Sequence, residues 1–334
     1  WSERPQAEIL RESRSRFMHW ERRQKVFDPS GQSAWMDSYA QNPNALELSD
    51  RIRIYFTCRP KRDTNGTFVS YTAFVDVEKK EPFNVIDVAS EPCLSLGGPG
   101  DFDEFGIMPG SVLYVSEHDE FWLYYVGWTR MISVPYKWSI GLGRSSDGGK
   151  TFRKHSIGPL LGSTGDDPYL QACPRVYRFG NNDWKMWYQS GTGWNLVSDH
   201  YESVYVSREA HSSNGLEWER MIETVVPTVV PDECQTSSSY IFLEGKHHLF
   251  FSYRHGIDFR KQDKGYRIGH ASSADMRTWE RDDSLGLDIS RDGWDSEMTC
   301  YPNVIEISGE VFMFYCGNYF GRDGFGYAKL IQNT

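Results

Sequence analysis

DDPYLQACPRVYRFGNNDWKMWYQSGTGW, residues 166–194, reads as four pieces in series. A carboxylate-bearing loop comes first, then a strand over Pro174–Phe179. A polar turn follows at Gly180-Asn181-Asn182-Asp183, and a second strand runs into an aromatic rim over Trp184–Gly191. The same order of pieces recurs from Asp103 to Trp128, from Asp232 to Gly256 and from Asp295 to Gly317, with a weaker copy from Asp37 to Arg59. Taking Pro43, Pro109, Pro174, Ser238 and Pro302 as equivalent, the spacings are 66, 65, 64 and 64 residues. A steady period across a whole chain signals a repeated supersecondary unit, and the strand pattern within each unit makes it a propeller blade.

Each unit has room for four strands. The second gives roughly 109–115, 121–127, 138–144 and 151–156, and the third roughly 174–179, 184–189, 202–207 and 217–223. The fourth gives 238–243, 247–253, 265–271 and 278–282. The last unit stops after its third strand, near Leu330, whereas residues 20–27 resemble an outer strand without a unit of their own. Those residues are expected to complete the last blade, which closes the ring and removes two exposed sheet edges. The sequence thus predicts an all-β five-bladed propeller of four-stranded antiparallel blades, one domain over 1–334. Residues 1–19 form an N-terminal extension, with a short helix over 5–18. The longest loops are expected at Gly97–Gly106 and Gly191–His200.

Bulk properties narrow the partners. The chain of 334 residues carries a net charge of −10, which argues against a nucleic-acid backbone or an anionic membrane surface as main partner. No apolar run approaches the ~20 residues that span a bilayer. Cys58, Cys93, Cys173, Cys234, Cys300 and Cys316 show no metal-ligand spacing and fit small buried side chains; they favour a cytoplasmic location over a secreted or periplasmic one. Neither metal site nor cofactor is expected, although a channel ion such as calcium stays open. The oligomeric state is not readable.

In a propeller the loops entering the first strands open on one face. Asp37, Asp103, Glu104, Asp166, Asp167, Asp232, Glu233, Asp295 and Glu297 all precede those strands, so they are expected to converge on the mouth. A set of converging carboxylates suits acid and base chemistry at a glycosidic bond. The alternative for any one of them is a turn cap facing water. The candidates for acid, base, nucleophile or transition-state stabilisation are Asp103, Glu104, Asp167, Glu233 and Glu297. Candidate substrate-binding groups are Asn42, Phe105, Gln171, Arg175, Trp194, Gln235, Arg254, Trp294 and Tyr301, since aromatic faces and amides suit sugars. Arg59, Arg175 and Arg254 are read as contacts for an acidic sugar or as blade-to-blade ion pairs. His270 is read as a core histidine rather than a ligand.

The turn Ser145-Ser146-Asp147-Gly148-Gly149-Lys150-Thr151-Phe152 matches the Asp-box pattern of sialidase-like propellers and is expected to be structural. Looser copies lie at Ser212–Trp218 and Ser272–Trp279. Together with Asn42-Pro43-Asn44, Met108-Pro109-Gly110-Ser111-Val112, Pro174-Arg175-Val176 and Pro302-Asn303-Val304, these turns make residues 20–330 resemble the five-bladed propeller glycoside hydrolases. That superfamily includes the arabinanase and β-xylosidase group, the invertase and levansucrase group and the β-mannoside phosphorylase group. The resemblance implies a glycosidase or transglycosylase acting on an oligo- or polysaccharide. A non-catalytic carbohydrate-binding propeller and a phosphorylase of the same fold are the alternatives. These families place carboxylates as Asp-Pro at the inner strand, whereas Asn42, Met108 and Cys173 precede the prolines here.

Overall fold

The computed structural model describes residues 18–332, arranged as five antiparallel sheets of four strands. The short helix expected over 5–18 lies outside these residues, save Met18, which opens a strand. Blade 1 holds β2 (Ser38–Glu47), β3 (Ile52–Arg59), β4 (Tyr71–Val77) and β5 (Val85–Val88). Blade 2 holds β6 (Gly106–Val115), β7 (Glu120–Arg130), β8 (Tyr136–Ser145) and β9 (Arg153–Lys154). Blade 3 holds β10 (Gln171–Gly180), β11 (Asp183–Val197), β12 (His200–Ser212) and β13 (Glu219–Arg220). Blade 4 holds β14 (Cys234–Leu243), β15 (Lys246–Arg254), β16 (Arg267–Ser273) and β17 (Glu280–Arg281). Blade 5 holds β18 (Cys300–Ile307), β19 (Glu310–Cys316) and β20 (Phe325–Gln332), and β1 (Met18–Phe27) pairs with β20 as its outer strand. The ring therefore closes as the sequence implies.

Second strands are packed between two neighbouring blades, so both of their faces are covered. This is why Ile52–Cys58 is buried without interruption, Arg53 and Thr57 included, rather than in alternation. Outer strands face water and shrink: β9, β13 and β17 are two residues each, shorter than the sequence suggests. The Asp-box of blade 2 is built as expected. Asp147 accepts from the Thr151 N–H at 3.0 Å and the Thr151 hydroxyl at 2.7 Å, and Phe152 is buried. Gly149 has φ +77°, and an added Cβ would lie 2.3 Å from the Tyr55 hydroxyl, which donates to the Gly149 carbonyl from blade 1.

The inner strands surround the channel, and their free edges are joined by side chains. Asn44 accepts from the Val112 N–H, Ser111 from Val176, Tyr177 from Tyr240, Ser239 from Val304, and Asn303 from Ala45, each between 2.8 and 3.2 Å. This cycle makes Gly110, rather than Pro109, the equivalent of Pro43, Pro174, Ser238 and Pro302, with spacings of 67, 64, 64 and 64. Gly110 is required there, because a Cβ would lie 2.5 Å from the Pro174 carbonyl oxygen. The preceding residues Asn42, Cys173, Ser237 and Tyr301 have φ between 45° and 56° and sit in β-bulges. Pro109 cannot adopt a positive φ, and blade 2 uses a shorter bulge, pairing Pro109 with Tyr125 and Ser111 with Tyr124.

One loop differs from expectation. Gly191–His200 is not a loop, because β11 and β12 continue as a hairpin from Trp184↔Ser212 to Val197↔His200, with one register shift between Gly191 and Gly193. His270 does not point to the axis. It is buried in β16, its Nε2 2.9 Å from His248 Nδ1 in β15, so it is a core histidine.

Two stability predictions follow from these contacts. Asn44→Ala leaves the Val112 N–H without its acceptor and the Gly110 carbonyl with Arg175 alone, at about 1–3 kcal/mol for the unpaired buried N–H; guanidinium unfolding should show the loss, and an unchanged midpoint would contradict the hub assignment. Burial, reinforced by His248, pulls His270 down to about 4 from an ordinary value of 6.5. The unfolded chain then takes up this proton more readily, so stability is full above pH 6.5 and falls as pH drops toward 4, by on the order of 3 kcal/mol in all. Denaturation at pH 7 and 4.5 should show a smaller difference for His270→Phe than for wild type.

Candidate functional site

The face where the inner strands begin carries a cavity of about 730 Å³. Its walls come from the bulge residues Gln41 and Tyr301, from Arg59 and Arg254 at the ends of β3 and β15, and from segment 131–136 ahead of β8. The β11–β12 hairpin brings Asp199, His200, Tyr201 and Glu202 over it, and the 257–265 loop brings Phe259 and Arg260. Tyr136 and Trp138 stack at 4.4 Å with planes 4° apart, which makes a flat platform, and Trp194 packs behind Tyr136 at 5.5 Å. A platform of this kind suits the C–H face of a sugar ring.

Two lining residues are carboxylates. Asp199 stands exposed at the hairpin tip, whereas the Glu202 side chain is only 8% exposed. Glu202 accepts from Arg260 and lies 3.0 Å from His200 Nε2. Hydrogen bonds to Asp199 and Glu202 hold His200 above the usual histidine range. Burial pushes the phenols of Tyr205, Tyr266 and Tyr301 up, so all three stay neutral. Among the described residues, no group of three or more His, Cys, Asp or Glu side chains is disposed to hold a metal ion.

The carboxylates singled out by the repeat do not meet at this cavity. Asp103 is buried against the Tyr125 hydroxyl at 2.9 Å and Lys154 Nζ at 2.8 Å. Asp167 accepts from the Tyr188 hydroxyl at 3.0 Å, the Ser190 hydroxyl at 2.6 Å and Arg220 at 3.1 Å. Glu233 pairs with Arg281 at 2.6 Å and caps the Val229 N–H at 2.9 Å. Asp295 pairs with Arg22 at 3.1 Å and the Tyr315 hydroxyl at 2.8 Å. In four blades, then, the loop carboxylate is tied to a cation on the outer strand of its own blade. Glu104 accepts from the Gly100 N–H at 3.0 Å in its own loop. Glu297 lines a smaller neighbouring cavity that shares Tyr39, Arg260 and Phe320 with the larger one.

The substrate-binding candidates divide in the same way. Arg254 and Tyr301 line the cavity. Arg175 closes the channel axis instead, donating to Asn42 Oδ1 at 2.8 Å and to the Gly110 carbonyl at 3.0 Å. Gln171 and Gln235 are buried and hold their own loops, at 2.9 Å to the Asp167 carbonyl and 2.8 Å to Glu233 Oε1. Phe105 is covered by the Arg130 guanidinium, 4.1 Å from its ring centroid. Trp294 stacks on Tyr315 at 5.0 Å and fills the space over Gly326, a wedge within blade 5.

No protein-family model matches the chain. The uncharacterized protein Rv1502 of Mycobacterium tuberculosis (strain H37Rv) is 33% identical over 316 residues, which is 94% of this chain and 99% of that protein. Protein MT1551 of a second strain, also described as uncharacterized, matches at the same identity and coverage. The chain belongs to this mycobacterial protein family. Solved structures share its fold at low identity. One described as a glycoside hydrolase has a TM-score of 0.72 and 14% identity, over 98% of this chain and 96% of its own. A second, from work on the mannoside phosphorylase family GH130 and its hydrolases of β-1,2 mannosidic linkages in Candida mannan, has a TM-score of 0.66 and 13% identity, with 94% of each chain covered. A thermostable family-43 glycoside hydrolase has a TM-score of 0.61 and 14% identity, with 92% of each chain covered. The chain is thus a five-bladed propeller that resembles the glycoside hydrolase propellers in fold. No helix among its described residues is long and apolar enough to cross a membrane.

In this family member the residues that sequence reasoning missed are Glu202, His200, Tyr205, Arg260 and the Tyr136–Trp138 platform. Arg260 lies in a segment that is not repeated from blade to blade and His200 at the extended hairpin tip, whereas Tyr136, Trp138, Glu202 and Tyr205 lie on third strands, β8 and β12. A usable signal was present in Trp194–Ser203, where β-forming residues flank the Ser198-Asp199 turn. The paired loop carboxylates carry a prediction of their own. Asp167→Ala strands Arg220 in a mostly buried site and should cost on the order of 3–5 kcal/mol, while Asp167→Ala with Arg220→Met should recover part of that loss. Urea unfolding of the two variants compares them; equal losses would remove the ion pair from the account.

Proposed function

We propose that the protein acts on glycosides, with the sugar seated on the Tyr136–Trp138 platform and Glu202 handling the proton at the glycosidic oxygen. The observation that carries this reading is the position of Glu202: a nearly buried carboxylate in a wide mouth cavity walled by aromatic rings. The fold shared with glycoside hydrolases supports the class of substrate. Arg260, whose side chain is 63% exposed, is free to swing away as a sugar oxygen takes its place beside Glu202. His200 contacts the same oxygen of Glu202, Oε1, as Arg260.

A second reading is a carbohydrate-binding propeller without turnover. It is favoured by the state of the two lining carboxylates, one exposed at the hairpin tip and the other already ion-paired. The two readings separate in one assay. Purified protein is offered a panel of aryl glycosides and polysaccharides, with and without phosphate, beside Glu202→Gln. The expected result is turnover of at least one substrate and a loss of about 10²–10⁴-fold in kcat for the variant. A variant as active as wild type would exclude Glu202 from the chemistry. Binding of a glycan with no turnover by wild type would support the binding propeller.

A further inference from the structure

The charges on the mouth cavity do not balance. Its lining holds Arg59, Arg62, Arg254 and Arg260 against Asp199 and Glu202. Arg260 is paired with Glu202, and Arg62 lies outward, donating to the Gly66 carbonyl at 2.7 Å. Arg59 and Arg254 have no carboxylate partner among the described residues. Arg254 is 3% exposed and donates only to neutral groups: the Tyr205 hydroxyl at 3.1 Å and the His255 and Ser203 carbonyls at 2.8 and 3.3 Å. Arg59 donates to Gln41 Oε1 at 3.1 Å, and its buried Nε has no partner.

Both guanidiniums are held against aromatic rings. Arg254 lies 3.6 Å from the Phe259 centroid and 5.5 Å from that of Tyr266; Arg59 lies 4.4 Å from Tyr39 and 5.0 Å from Phe68. Tyr301, whose ring is 5.7 Å from that of Tyr266, lines the same cavity. The neighbouring phenols are neutral and supply no counter-charge. A buried cation without a counter-ion is costly, and ring faces offset only part of that cost. Here one such cation, Arg254, and a half-buried one, Arg59, line one cavity, in a chain whose net charge is −10.

We infer that Arg59 and Arg254 form a preorganised site for an oxyanion of carboxylate or phosphate type, carried by the sugar or supplied free beside it. This rests on the carbohydrate reading of the same cavity. A planar fork of N–H donors suits either oxyanion, and charge-assisted bonds in a partly dry site give the selectivity.

The test is calorimetric titration of the whole protein with glucuronate and galacturonate, with glucose and galactose as neutral counterparts, and with inorganic phosphate, at low and high salt. The expected result is that a uronate or phosphate binds at least tenfold more tightly than the neutral sugars at low salt. Arg59→Gln should weaken the anion by about tenfold or more and leave neutral sugars unchanged, whereas Arg59→Lys should keep part of the preference. Arg254→Gln is tested in parallel, with circular dichroism to check its fold. Preference for a uronate places the oxyanion on the sugar; preference for phosphate makes it a separate co-substrate. Neutral sugars binding as well as the anions, or no anion binding at all, would overturn the inference and leave the carbohydrate reading standing. Phosphate binding with no sugar binding would support the oxyanion site while removing the carbohydrate reading.

Discussion

The first strand of each blade has one free edge, and five such edges face one another around the channel. A buried N–H on such an edge must find an acceptor, and the neighbouring backbone does not provide it. Side chains reach across instead: Asn44, Ser111, Tyr177, Ser239 and Asn303 each take one N–H from the next blade. Arg175 then fills the axis and binds groups of three blades, through Asn42 and the Gly110 and Pro302 carbonyls. This hub sets the register of every inner strand. The bulges beside it re-aim the residues that lead into the strands, which is how Gln41 and Tyr301 come to line the mouth.

A periodic signal reports what all the blades need, and what they all need is to be held together. The carboxylates at Asp103, Asp167, Glu233 and Asp295 recur because each blade must anchor a two-residue or terminal outer strand to its inner loop. Their regular spacing made them conspicuous in the sequence, and their partners on the outer strands explain that spacing. Chemistry at the mouth requires the opposite property. Five equivalent groups around one axis cannot recognise an asymmetric sugar, so the groups that could do so must come from segments that break the repeat. The β11–β12 hairpin and the segments 131–136 and 257–265 are such segments.

This division explains how far the sequence could be read. The architecture, the ring closure by residues 20–27 and the structural role of the Asp-box were legible, because each rests on a local pattern of strands, turns and period. The one-residue shift from Pro109 to Gly110 was not, since it depends on a clash with Pro174 in the next blade. Of the proposed sugar contacts, Arg254 and Tyr301 lie at the cavity, while Gln171 and Gln235 look the same in sequence and are buried supports. Glu202 was hidden for a different reason. It opens the expected strand 202–207, next to the expected loop Gly191–His200, and only the continuation of the pairing to Val197 and His200 makes it part of a hairpin that reaches the mouth.

The uneven charge of the cavity follows from the same geometry. Arg59 and Arg254 stand at the ends of β3 and β15, and aromatic rings cover each of them. Rings exclude water without neutralising charge, so the field of each guanidinium is less screened than on an open surface. Within the blades, buried cations are treated differently: Arg53 is locked to Asp76 at 2.7 Å, and Arg281 to Glu233 at 2.6 Å, while Arg175 on the axis is held by Asn42 and the Gly110 and Pro302 carbonyls. The fold can therefore supply a carboxylate to a buried arginine and does so in its blades. At the mouth it places glutamine, neutral phenols and carbonyls against these two instead. That arrangement costs stability in the free protein, and an entering anion would offset the cost, which is the physical basis of the oxyanion site inferred above.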